Sequence, residues 1–127
     1  AGAPVKKYGL SRRQRLRSGA DFERVYARKL RAGDRHLLVF GSRNKVEITR
    51  LGLSVSRRHG NAVKRSRLKR MLREAFRLSQ HDLPRGLDLI VIPRDAGAAT
   101  LDELRRSLER AARKIAGRLP PETEDGP

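Results

Sequence analysis

The chain predicts an α+β fold, a two-layer α/β sandwich with a small sheet and elements in the order α-β-β-α-β-α. Three short runs have strand length and strand pattern. They are residues 36–41 (HLLVFG), 50–56 (RLGLSVS) and 87–93 (LDLIVIP). Around them lie three stretches whose apolar residues recur every three or four positions, the period of a helix with one buried side. With 127 residues, the chain suits one domain that buries a core without staples.

Residues 1–17 read as a basic, irregular N-terminal extension, carrying Lys6, Lys7, Arg12, Arg13, Arg15 and Arg17. A first helix starts at Ser18, which caps it, with Asp21 in the first turn where a negative charge suits the helix dipole. Phe22, Val25 and Tyr26 share one of its faces, and the helix fades by residues 30–33. The run 36–41 is apolar on both faces, as a buried strand should be. In 50–56 Leu51, Leu53 and Val55 alternate with Gly52, Ser54 and Ser56. The link 42–49 suits an antiparallel hairpin turning at Arg43-Asn44. A second helix spans 61–79, with Leu68, Met71, Leu72, Ala75 and Phe76 on one side and Lys69, Arg70, Arg73 and Arg77 on the other. After the 87–93 strand and a 97–100 loop, Thr100 and Glu103 make a capping box for a last helix. Its stripe is Leu101, Leu104, Leu108, Ala111 and Ile115. The single domain thus covers 18–119, and the acidic, Pro-rich tail 120–127 reads as disordered.

Charge dominates the composition. Lys and Arg total 31 against 14 Asp and Glu, for a net charge of +17, a balance that points to a polyanionic partner. There is no Cys, hence no disulfide, thiolate metal site or Cys nucleophile. No apolar run approaches the roughly 18 residues of a membrane span. The N-terminus shows no apolar signal core, so a cytoplasmic location and no membrane partner are expected.

The charge concentrates in residues 52–77, GLSVSRRHGNAVKRSRLKRMLREAFR, where nine cations face one acid, Glu74. A solvated helical face usually mixes signs so that i, i+4 pairs form; this one does not. Lys69, Arg70, Arg73 and Arg77 would instead meet successive phosphates, giving affinity and orientation but no sequence reading. Gly60 supplies a left-handed turn and Asn61 an N-cap, whose free N–H groups could also meet a phosphate. His59, between cations, suits phosphate contact better than base catalysis. Phe22, Tyr26, Leu38 and Phe40 form a second group. An apolar helix stripe of this kind is ordinarily core; the alternative is an aromatic-lined cleft on which bases of a single strand stack. The three histidines have no metal-ligand spacing, and the acids outside the tail are scattered. No catalytic residue and no metal site is therefore assigned to this chain. A stand-alone nuclease would want clustered carboxylates, and a DNA reader a helix-turn-helix pair.

The string GLSVSRRHGNAVKRSRLKRMLREAF resembles the signature region of the bacterial ribonuclease P protein subunit family. GNAV is followed by Arg65 and Arg67 at the family's two Arg positions and by the pair Lys69-Arg70. Ser66 stands where the family usually has Asn. Upstream, Leu16, Asp21-Phe22 and Val25-Tyr26 resemble the family's first helix, and the likeness extends over about residues 12 to 115. The resemblance implies a ribosomal-protein-like fold with a left-handed β-α-β crossover. It implies a protein component that binds a catalytic RNA subunit through Arg57, Arg58, His59, Asn61, Lys64, Arg65, Ser66, Arg67, Lys69, Arg70 and Arg73. It further implies a cleft of Phe22, Tyr26, Leu38 and Phe40 for the 5′ leader of precursor tRNA. The Mg²⁺ for cleavage would be held mainly by the RNA.

Overall fold

The structure, a computed structural model, describes residues 11–95 and 98–119. The expected tail 120–127, the first ten residues of the expected extension and Gly97 of the expected loop lie outside them.

Helix α1 (Gly19–Ala27) starts at the predicted cap. The Ser18 hydroxyl accepts the Asp21 N–H at 3.0 Å. After nine residues the chain leaves the helix through Lys29, whose φ is +57°, and enters a strand, β1 (Arg31–Gly33). Residues 30–33, expected as a fading helix, thus contain a short edge strand. Its three residues have no strand pattern of their own; pairing with β2 (Leu37–Arg43) creates it. Asp34 closes the hairpin. Its Oδ1 accepts the His36 and Leu37 N–H groups at 2.8 and 3.1 Å.

Strands β3 (Arg50–Leu53) and β4 (Leu87–Pro93) complete a sheet of order β1-β2-β4-β3. β2 is antiparallel to both β1 and β4, whereas β3 is parallel to β4. The antiparallel hairpin expected across residues 42–49 does not form, because β4 lies between β2 and β3. Six of β4's seven residues are buried, and a strand covered on both faces belongs in the middle of a sheet. The link is tied to β4 instead: Asn44 N–H donates to Gly86 O at 2.7 Å, and its Nδ2 donates to Ile48 O at 2.8 Å and to Asp88 Oδ1 at 2.9 Å.

Helix α2 (Ala62–Ser79) connects β3 to β4, so these elements form a parallel β-α-β unit. Its cap is the predicted one, Asn61 Oδ1 accepting Lys64 N–H at 2.9 Å. Helix α3 (Leu101–Arg118) starts with the predicted reciprocal box. Thr100 Oγ1 accepts Glu103 N–H at 3.1 Å and Glu103 Oε1 accepts Thr100 N–H at 2.9 Å. The α+β class and the α-β-β-α-β-α order stand, with β1 added after α1.

Strand alternation divides the core. Leu37, Val39, Leu89 and Val91 meet Leu72, Phe76, Leu104, Leu108 and Ile115 of α2 and α3. On the other face Ile90 meets Val25 of α1 and Leu16. Leu16 belongs to the stretch expected as irregular, and residues 11–17 depart from that expectation. Arg12–Gln14 form a 3₁₀ turn, Leu16 N–H donates to Leu51 O at 2.9 Å, and Leu16 is buried. One apolar residue in a basic run is enough to dock the segment.

Asp34 makes an acid-labile tie between the β1–β2 hairpin and α3. Its Oδ2 accepts Ser107 Oγ at 2.6 Å and Arg110 Nη2 at 2.9 Å. Burial alone would raise its pKa, but the bonds from Ser107, the two amides and Arg110 outweigh it and hold the group well below its ordinary 3.8. A carboxylate depressed in the folded state stabilises above its unfolded pKa and loses that contribution as pH falls toward the folded one. Wild-type thermal melts should therefore weaken on acidification below about pH 4. Asp34→Asn should melt lower at pH 7 and lose less across the acid range; parallel pH profiles for the two proteins would exclude this role.

Candidate nucleic-acid interface

The face of the sheet under α1 carries the predicted aromatic group. Phe40 on β2 pairs with Ile90 on β4, and Leu38 with Ile92. The pairs rise from one face, two residues apart along each strand. Tyr26 meets Phe40 edge-on with ring centroids 5.0 Å apart, and Phe22 lies 6.4 Å from Tyr26. Phe22 is seated over Gly52, where a Cβ would come within 2.7 Å of its Cζ. Leu38, Phe40, Ile92, Phe22 and Tyr26 are all half-buried. The four predicted residues thus share one surface that is packed at its base and open above. Ile92 belongs to it as well; its alternate position in a strand apolar on both faces gave no sign of which side it takes.

A buried charge holds α1 on that face. Asp88 is fully enclosed in β4, one alternation below Ile90. It takes a two-pronged grip from Arg50, with Nε to Oδ1 and Nη2 to Oδ2 both 2.8 Å. Arg24 of α1 donates to Oδ2, and Asn44 donates to Oδ1. The hydrogen bonds that Arg50 donates to Asp88, opposed by burial, raise the Arg50 pKa. One carboxylate thereby joins α1, β3, β4 and the 44–48 link.

At the β3 side the aromatic surface meets a cationic pocket of about 250 Å³. Phe22 and Leu53 supply apolar wall, and Arg15, Arg17, Lys69 and Arg73 supply charge. Burial, and after it the charge of Arg15, lowers the pKa of Arg73. Such a desolvated cation beside a like charge favours an anionic occupant. Sequence reading placed Lys69 and Arg73 on the RNA-facing list but left Arg15 and Arg17 in the irregular extension. Their flanking of the apolar Leu16 was the available signal.

The remaining predicted residues divide by what they touch. Arg57 and Arg58 are exposed in a 3₁₀ turn (Arg57–His59). His59 differs from the expectation of phosphate contact, because both its nitrogens are engaged. Nδ1 accepts Ser56 N–H at 2.9 Å, which leaves Nε2 to donate to Pro93 O at 2.9 Å. It pins the basic turn to the end of β4. Gly60 has φ +121°, a conformation side chains resist, and Asn61 is occupied as the helix cap. Lys64, Ser66, Arg67 and Arg70 are exposed along α2, and Arg65 is half-buried with an Nε lacking a hydrogen-bond partner. Arg57, Arg58, Lys64, Arg67, Lys69 and Arg70 have no ion-pair partner among the described residues. The same residues gather no group of three or more His, Asp or Glu that could hold a metal ion.

The basic helix, the basic turn, the aromatic face and the cationic pocket all lie within a stretch that matches a known protein family. The sequence pattern of that family, Ribonuclease P, matches residues 10–116. The chain belongs to the ribonuclease P protein family. The ribonuclease P protein component of Oleidesulfovibrio alaskensis is 39% identical over 122 residues, covering 92% of this chain and 98% of that one. The Bacillus pumilus component is 36% identical, covering 84% and 92%. Among solved structures, the ribonuclease P protein of Staphylococcus aureus superposes with a TM-score of 0.68 at 37% identity, over 81% of this chain and 94% of that one. That of Thermotoga maritima gives 0.64 at 32% identity, over 74% and 90%.

Removing the carboxylate tests the clasp. Asp88→Ala leaves Arg50 largely enclosed without its partner, and should cost about 3 kcal/mol of unfolding free energy. Urea denaturation at neutral pH reads it; a loss below about 1 kcal/mol, the level of a surface pair, would rule out the clasp as the tie that holds α1.

Proposed function

We propose that this chain acts as the protein subunit of a ribonuclease P ribonucleoprotein, promoting endonucleolytic removal of the 5′ leader of precursor tRNA. α2 and the preceding turn would bind the RNA subunit. The cleft between α1 and the sheet would hold the single-stranded leader. The observation that carries this reading is the continuity of the Phe22–Tyr26–Phe40 surface with the Arg15, Arg17, Lys69 and Arg73 pocket. Stacking surfaces accept bases of any sequence, and the cations beside them accept the backbone. A subunit that handles many precursors needs that tolerance.

The division of labour is physical. Two RNAs repel each other, and a protein of net charge +17 lowers that repulsion. The unpaired cations of α2 supply phosphate contacts without sequence reading. Arg65, with its unanswered Nε, is the α2 cation most in need of an acceptor. Gripping the leader turns approach of the scissile phosphate into a positioning problem already solved on binding. Mg²⁺ would be held mainly by the RNA subunit in this reading. The expected setting is the cytoplasm, with no DNA or membrane partner.

Reconstitution tests it. Labelled precursor tRNA should be cut at the mature 5′ end at low Mg²⁺ when this protein and a bacterial ribonuclease P RNA are both present, and by neither alone at that Mg²⁺. Cleavage by the purified protein alone would replace the reading with a nuclease, and no stimulation would leave a structural RNA binder. Within the complex, Tyr26→Leu and Phe40→Leu keep apolar bulk but remove the ring. Each should weaken binding of leader-bearing precursor by roughly 1–3 kcal/mol while leaving mature tRNA unchanged. An equal effect on both RNAs would exclude leader stacking.

A further inference from the structure

The aromatic surface has a second end. One row of residues crosses the sheet from edge to edge. Arg31 of β1 pairs with Phe40, Phe40 with Ile90, and Ile90 with Gly52, over which Phe22 sits. Residues directly opposite on neighbouring strands share a face, so Arg31 stands on the Tyr26–Phe40 side of the sheet. The row spans three strand spacings, roughly 14 Å. The Arg15, Arg17, Lys69 and Arg73 pocket lies at its Phe22 end; Arg31 lies at the other.

Arg31 is not alone there. Arg28 and Lys29 follow directly on the turn of α1 that carries Tyr26, and Lys29 N–H donates to Tyr26 O at 3.0 Å. Gly41 N–H donates to Leu30 O at 3.1 Å, which fixes this turn against β2. Arg118 Nη1 donates to Arg31 O at 2.8 Å, which steadies the strand edge and leaves the Arg31 side chain unused. Arg28, Lys29 and Arg31 are all exposed. None forms an ion pair among the described residues. The acid nearest Lys29 and Arg31 in sequence, Asp34, is engaged by Ser107 and Arg110 toward α3, and Glu23, five residues before Arg28, forms no ion pair with it among the described residues.

We propose that Arg28, Lys29 and Arg31 form a distal exit of the cleft, holding backbone phosphates of the RNA strand after its bases have crossed Tyr26 and Phe40. The inference rests on the reading that a single-stranded leader occupies the cleft. It adds a binding site that the basic helix does not contain. A strand lying along the row meets cations, then stacking surface, then cations again. Phosphates at the far end are the chemistry that three unpaired cations on a fixed turn suit. Leaders too short to reach β1 gain nothing from it.

The test uses the reconstituted complex and precursors whose leaders lengthen one nucleotide at a time, with affinity measured across a salt series. Wild type should gain affinity in two stages, first as the leader covers the aromatic surface and again as it reaches the exit. Arg28→Ala/Arg31→Ala should keep the first gain and lose the second. Its salt slope for the longest leaders should shrink by roughly 1 to 1.5, and that for short leaders should not change. The Arg31→Lys variant should retain the second gain. Equal salt slopes for wild type and the double variant on long leaders would overturn the exit while leaving the cleft reading intact. A wild type indifferent to leader length would overturn the cleft reading and the exit with it. Both substitutions fall on exposed side chains, so unchanged melting and RNA-subunit affinity should accompany the expected result.

Discussion

The working face of this protein depends on one buried carboxylate. Asp88 sits in the central strand with no exposure, and an isolated charge there would be too costly to keep. Its cost is offset by the Arg50 grip, by Arg24 from above and by Asn44 from the side. Each of those partners comes from a different segment, so the requirement to satisfy one anion fixes the position of α1, of β3 and of the link before it. Apolar contact under α1 is sparse: Leu16, Val25 and Ile90 are its fully buried members. Hydrophobic burial of three side chains is nondirectional and would let α1 slide. The charge-assisted hydrogen bond from Arg24 of α1 to a carboxylate that Arg50 holds in place does not.

The distribution of acids explains where the interface lies. Along α3 three of the six cations are paired with acids: Arg106 with Asp102, Arg110 with Asp34, Arg113 with Glu109. That helix has a mixed-sign outer face of the kind water tolerates. α2 has one such pair, Arg77 with Glu74, in its last turns. The turn before it, its first three turns and the pocket beside Phe22 are left with repulsion that only an external anion relieves. The same net charge spread evenly would give weak, undirected adhesion; its segregation gives one side of the molecule the charge that the proposed RNA partner would neutralise.

Much of this was legible in the sequence, because helix caps and alternation are local. Ser18, Asn61 and the Thr100–Glu103 box each hold the helix start that the residues announced. Strand order was not legible. A link of eight residues reads as a hairpin, and only the competition for the central position, won by the strand buried on both faces, moves β3 to the far side of β4. β1 was hidden for a related reason: Arg-Ala-Gly has no pattern, and its partner supplies the structure. At the site, the aromatic group was legible as a helix stripe and a strand face. Its half-open state was not, since a stripe cannot say how much of itself is covered. The second role of His59, as a pin on Pro93, was equally out of reach, because its partner lies thirty-four residues away.

That half-open state has a simple geometric origin. α1 has nine residues, about 14 Å of helix. β2 and β4 have seven residues each, about 23 Å of strand. The helix cannot cover the face it lies on, and its end is fixed by the left-handed turn at Lys29 and the bond from Gly41 to Leu30. What it leaves uncovered is Leu38, Phe40 and Ile92, apolar enough to exclude water from a stacked base yet seated in a sheet whose other face is sealed by two eighteen-residue helices. Stability is concentrated on that sealed face, so the open one can stay incomplete. The cleft is thus the part of an ordinary α/β core that one short helix fails to close. A longer α1 would improve the core and remove the surface on which a strand of RNA could lie.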